Sequence, residues 1–144
     1  MDSNIMPSVP KTASREESEM SQIVIEEVLN ASRKWIASFN RGDVEGCLSG
    51  YLPDAVMRVD PVGEFKGAGA IALFWRDFAS LNPSQLEYLD VNIKVIDAKS
   101  AVLSANWRMN IANGFISKEL WVKQDSGEWK LAQDDFSVLS LTPQ

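Results

Sequence analysis

The sequence predicts an α+β fold, with helices on one side of a curved antiparallel sheet. Three observations carry this expectation. Apolar residues recur at helical spacing through the first half of the 144-residue chain. Four strand-like runs separated by short turn signals fill the second half. The order is helix, helix, strand, turn, helix and then a meander, which segregates helices from strands.

Residues 1 to about 20 contain Pro7, Pro10, several serines and scattered charges, the composition of a disordered or loosely docked extension, so the domain is expected over 21–144. From Ser21, the apolar residues Ile25, Val28, Leu29, Trp35, Ile36 and Phe39 predict a long amphipathic helix ending at Asn40-Arg41-Gly42. Asp43 reads as the N-cap of a second helix with Val44, Cys47, Leu48, Tyr51 and Leu52 on its apolar face, stopped by Pro53. Ala55–Val59 is a short strand, followed by a turn at Asp60-Pro61-Val62-Gly63. A third helix is expected over Ala68–Leu81, then strands over 86–96, 101–111, 115–124 and 129–139. Asn113-Gly114 is a strong hairpin signal, with Ser126-Gly127 and Ala98-Lys99 as further turns.

Composition excludes several function classes. The net charge is −6 with no long basic run, so phosphate-backbone binding is not expected. No apolar run approaches a membrane span, and the first residues hold no apolar signal core; a cytoplasmic protein is expected. Cys47 is the single cysteine, and its apolar neighbours read as core. The chain has no histidine, which excludes Ser-His-Asp and Cys-His mechanisms and imidazole metal sites. Phosphate loops and metal-ligand spacings are absent as well, so neither cofactor nor metal is implied. Proton chemistry near neutral pH would fall to carboxylates shifted by their surroundings, or to Tyr, Lys or Cys.

Hairpin registers point to one such group. A two-residue turn at Asn113-Gly114 sets Arg108 opposite Glu119, and one at Ser126-Gly127 sets Glu119 opposite Asp134. Arg108, Glu119 and Asp134 then form a row on one face of three strands. Two readings stay open: a solvated salt-bridge ladder, or a pocket in which two carboxylates compete for one arginine and titrate apart. The alternation puts apolar side chains on both sheet faces. A partner copy covering the outer face, with Trp107, Leu120 or Val122 in the interface, would account for that.

The stretches Trp35–Asp43, Tyr51–Val56, Phe65-Lys66-Gly67 and Trp129–Ser137, in this order and spacing, resemble the SnoaL-like and ketosteroid-isomerase-like branch of the nuclear transport factor 2-like superfamily. The resemblance implies a cone-shaped curved sheet with three helices on its concave side, an apolar pocket between them, and a homodimer through the outer sheet face. Asp60-Pro61-Val62-Gly63 is similar to the turn that carries the proton-shuttling acid of ketosteroid isomerases. Trp35 stands where that family has its tyrosine donor, and Glu119 where it has its second acid. Arg108-Met109-Asn110 and Asp134 are similar to the Asp-Arg-Asp set of limonene-epoxide hydrolases, with Asn110 in place of one Asp. Asp134 also matches the last-strand acid of SnoaL-like cyclases.

The expected function is acid/base chemistry of isomerase, cyclase or hydrolase type on a small, largely apolar organic molecule. Asp134 would be the general acid/base and Arg108 its orienter or oxyanion stabiliser. Glu119 would tune the pair, Asn110 would hold an oxygen or water, and Asp60 is a further acid. Trp35, Trp121 and Phe136 are the expected substrate contacts. The alternative is a non-catalytic binding or oligomerisation module of the same fold.

Overall fold

A computed structural model describes residues 14–142 of the chain. Most of the expected N-terminal extension therefore lies outside the described residues. Its last part does not, because the first helix begins at Arg15 rather than at Ser21. The elements are α1 (Arg15–Asn40), α2 (Val44–Leu48), β1 (Tyr51–Asp60), β2 (Gly63–Lys66), α3 (Ala68–Ala79), β3 (Glu87–Asp97), β4 (Ser100–Arg108), β5 (Ala112–Lys123) and β6 (Trp129–Leu141). The six strands form one curved sheet in the order β2-β1-β6-β5-β4-β3, and the helices pack on one face of it. The sheet is mixed rather than wholly antiparallel, since β1 runs parallel to β6.

Helix α1 starts where a capping box satisfies its free amides: the Ser14 hydroxyl accepts from Glu17 N at 3.0 Å, and the Glu17 carboxylate accepts from Ser14 N at 2.8 Å. Val24, Val28, Trp35 and Phe39 line the buried stripe. Asp43 caps α2 as expected, accepting from Gly46 N at 2.9 Å. That helix stops at Leu48 rather than Leu52. The Gly50 carbonyl accepts from Leu131 N at 2.8 Å, which draws the chain into the sheet beside β6. Tyr51 thus opens a strand instead of closing a helix, and Tyr51, Ala55, Met57 and Val59 point inward.

The β4–β5 hairpin also departs from expectation. The chain reverses at Met109–Ile111, with Met109 N donating to Ala112 O at 2.9 Å, and Asn113-Gly114 lies inside β5. Ile111 is buried, and Asn110 clamps the loop before β3. Its side chain accepts from Ser84 N at 2.9 Å and donates to Asn82 O at 3.1 Å. Arg108 therefore pairs with Asn113, not with Glu119. The β5–β6 turn is longer than two residues, spanning Gln124–Glu128, but a bulge between Leu120 and Trp121 offsets the difference. Glu119 ends opposite Asp134, as expected, through two compensating departures.

A bulge at Ser117 inverts the side-chain alternation along β5, while β4 opposite it alternates without interruption. Trp107 and Ile116 consequently face the helices and are buried, while Val102, Leu120 and Val122 remain on the outer face, half-buried. Trp107 is thus not available to an outer-face interface. Gly114 has a packing role instead of a turn role. A Cβ there would overlap Ser137 O and stand 2.7 Å from Trp107 Cζ2. We expect Gly114→Ala to destabilise the domain by ~3 kcal/mol in urea unfolding, because neither the β6 backbone nor the indole can retreat. A loss below ~1 kcal/mol would show that β5 and β6 separate easily here.

Candidate active site

Four elements converge on two carboxyl groups. Glu119 and Asp134 are cross-strand partners on the inner face of β5 and β6, with 3% and 4% of their surface exposed. Asp134 accepts a hydrogen bond from the Tyr51 hydroxyl of β1 at 2.6 Å, and that hydroxyl accepts from Trp75 Nε1 of α3 at 3.1 Å. Glu119 accepts from the Tyr88 hydroxyl of β3 at 2.8 Å and from Trp121 Nε1 at 2.9 Å. The two tyrosines of the chain each hold one acid. Among the described residues no cation bonds to either carboxyl.

The electrostatics follow from that arrangement. Burial pushes Glu119 up to about 8, and the neighbouring Asp134 charge adds to the rise against the pull of Trp121 and Tyr88. Burial also pushes Asp134 up to about 7, opposed by the Tyr51 hydrogen bond and assisted by Asp135. Tyr51 and Tyr88 are held well above the usual phenol range, first by burial and then by the charge of the acid each one serves. Both acids are therefore held well above the usual carboxylate range, and their titrations are linked.

Among the described residues Asp134 is the only carboxyl on the wall of a narrow apolar cavity with about 50 Å³ of free space between helices and sheet. Trp35, Phe39, Trp75, Trp107 and Phe136 form much of that wall. Trp75 lies nearly parallel to Phe136, with centroids 5.9 Å apart and planes 17° apart. Trp35 is fixed by its Nε1, which donates to Cys47 O at 3.1 Å. Asp134 Oδ2 is occupied by Tyr51, and among the described residues Oδ1 has no hydrogen-bond partner. One oxygen is thus anchored, and the other has no protein partner among the described residues.

The structure brings together Asp134, Glu119, Trp35, Trp121 and Phe136 of the residues singled out by sequence. Trp121 stands behind Glu119 rather than on the cavity wall. Arg108 does not join them: it points outward from β4, 61% exposed, and pairs with Glu87 at 2.6 Å. Asn110 is spent on the Ser84 loop, and Asp60 is exposed at the end of β1. The sequence reading missed Tyr51, Tyr88 and Trp75. Tyr51 was legible only if Tyr51–Asp60 were read as one long strand, which Pro53 disguises. The thiol of Cys47 is pushed up to about 12 by burial and is inert. Among the described residues no group of three or more acids or thiols is placed to hold a metal ion.

A family model described as a SnoaL-like domain matches residues 32–127, a span that includes Glu119 and ends before Asp134. The chain belongs to the SnoaL-like family. Solved structures agree on the fold. A putative scytalone dehydratase from Novosphingobium aromaticivorans has a TM-score of 0.70 and 14% identity, covering 88% of this chain and 96% of that one. A ketosteroid isomerase-like protein from Erwinia carotovora atroseptica has a TM-score of 0.65 and 16% identity, covering 89% and 99%. A Catenulispora acidiphila protein in complex with S-DNPA has a TM-score of 0.67 and 12% identity, covering 81% and 94%. No curated protein matches this SnoaL-like chain in sequence. Among the described residues no helix is long and apolar enough to cross a membrane.

The paired acids make stability depend on pH in a defined direction. Both folded-state values lie above the unfolded ones near 4, so the folded state binds more protons between about pH 4 and 8. Stability is then greatest at the acid end of that window and declines as pH rises through it. No histidine titrates there to mask the effect. We expect Glu119→Gln to flatten the decline by an amount on the order of a few kcal/mol between pH 5 and 9, read by urea unfolding. In carboxyl-carbon NMR, Glu119→Gln should leave Asp134 displaced, whereas Asp134→Asn should lower the Glu119 midpoint. Two ordinary titrations near 4 would show that the pair is solvated.

Proposed function

We propose that this SnoaL-like protein is a cofactor-independent enzyme that transfers protons on a small, largely apolar ring compound held in the cavity. The observation that carries the reading is the Asp134–Glu119 pair. It is buried, it lacks a cation, and only Asp134 reaches the cavity. Asp134, once ionised, takes a proton from an activated C–H or O–H of the substrate and returns it elsewhere on the same molecule. Glu119 keeps its own proton and holds the pair at a single charge, so it acts on the reaction through Asp134. Tyr51 anchors Oδ2 and leaves Oδ1 to the reacting proton. The relatives described as dehydratase and isomerase-like are consistent with proton transfer on this scaffold, without deciding the substrate.

Deuterium wash-in tests the reading before the substrate is known. Cyclic ketones such as 2-tetralone and 1-indanone are incubated with the protein in heavy water, and loss of their α-protons is followed by NMR. We expect exchange above buffer that rises as Asp134 ionises toward pH 7 to 8, and that falls about 10³-fold in Asp134→Asn. Glu119→Gln, which keeps the neutral state of that side chain, should retain most of the exchange. Ketones that bind without any enhanced exchange would favour a binding module instead. The tight cavity of about 50 Å³ fits that second reading, because a ligand must first part the aromatic wall.

We also propose that two copies associate through the outer sheet face, where Val102, Leu120 and Val122 stand half-buried beside exposed Phe115. Leu120→Lys should convert a dimer to a monomer by light scattering at micromolar concentration with the helical circular dichroism preserved. A wild-type monomer under those conditions would refute the association.

A further inference from the structure

One residue of the cavity wall carries a buried polar atom that the proton-transfer scheme does not use. Trp107 lies on its wall, is 6% exposed, and its Nε1–H is enclosed with no hydrogen-bond partner. Its ring is fixed. The Cζ2–Cε2 edge presses on the bare Cα of Gly114, and Phe136 meets the indole edge-on at 82° with centroids 6.3 Å apart. A phenylalanine would fill such a place without stranding a donor, and a buried donor left unpaired opposes folding. Met109, Ile116, Phe136 and Val138 are among the apolar residues that share the cavity wall with Trp107.

We propose that the Trp107 indole N–H is a specificity-determining contact that donates a hydrogen bond to a neutral oxygen of the substrate. This assignment rests on the reading of the cavity as the substrate site and adds the class of molecule it takes: a ring compound bearing a carbonyl or ether oxygen. A neutral oxygen fits better than an anion, because the Asp134–Glu119 pair already holds negative charge in the same low-dielectric interior.

The experiment compares 1-indanone with indane, which share a ring frame and differ in the acceptor oxygen. Indole N–H signals of ¹⁵N-labelled protein are followed during titration, with the Trp107 signal identified by its loss in Trp107→Phe. We expect indanone, and not indane, to move the Trp107 signal downfield, and indanone to bind at least tenfold tighter than indane. Trp107→Phe should erase that preference while leaving indane binding within twofold; should this variant not fold, the wild-type signal alone decides. An unmoved Trp107 signal while indanone shifts other cavity signals, equal affinity for the two compounds, or no uptake of indanone at millimolar concentration each overturns the assignment. The carboxyl titrations are recorded on the same samples. Displaced midpoints with an unmoved indole refute the role of Trp107 alone, whereas ordinary midpoints refute the proton-transfer reading.

Discussion

Two carboxyl groups side by side in a core, with no cation bonded to either among the described residues, are the constraint around which this interior is arranged. Burying one charge in protein is costly, and burying two adjacent like charges is prohibitive, so the pair must retain a proton. Neutral donors then do what an arginine would otherwise do. Tyr51 and Tyr88 supply hydroxyls, and Trp121 and Trp75 supply indole N–H groups, the last acting through Tyr51. These donors stand on β1, β3, β5 and α3, so satisfying the acids also fixes the helix layer against the sheet. The hydrogen-bond network and the packing of the fold are the same set of contacts.

An arginine in that position would change the chemistry. A guanidinium between Glu119 and Asp134 would ionise both and bring their titrations below the neutral range. The bulge at Ser117 of β5 and the early reversal at Met109–Ile111 leave Arg108 on the face opposite Glu119, where it meets Glu87 at the surface. Such an exposed pair contributes little to stability. The bulge and the reversal that removed the expected cation from the row are what allow the remaining two acids to titrate apart.

How much of this was legible in the sequence depended on the kind of signal. Helices α1 and α3 announced themselves through apolar periodicity, and the order of helices and strands gave the fold class. The Glu119–Asp134 pairing was reached because a longer turn at Gln124–Glu128 and a bulge at Leu120 offset each other. Asn113-Gly114 misled because its local signature is that of a hairpin, while tertiary packing assigns Gly114 to the underside of Trp107. A bulge is a one-residue event with no compositional mark, yet it moves every later side chain to the other face. That is why Arg108 was expected inside and Trp107 outside, each the reverse of what is found. Tyr51 was hidden for a related reason: Pro53 reads as a helix stop, but here it lies within β1, just before the inward run of Ala55, Met57 and Val59.

The missing histidine gives these details a common sense. A group that changes charge near neutral pH is ordinarily an imidazole, whose unperturbed value already lies there. A carboxyl must be displaced by about three units to serve instead, and burial is the largest cause of that displacement for both acids. In the proposed scheme pairing lets one member, Asp134, take the charge toward the cavity while the other, Glu119, held by Tyr88 and Trp121, stays protonated behind it. The position of each acid supports the part proposed for it: Asp134 lines the cavity, where it would exchange a proton with what enters, and Glu119 does not line it and would act only through the charge it allows Asp134 to carry.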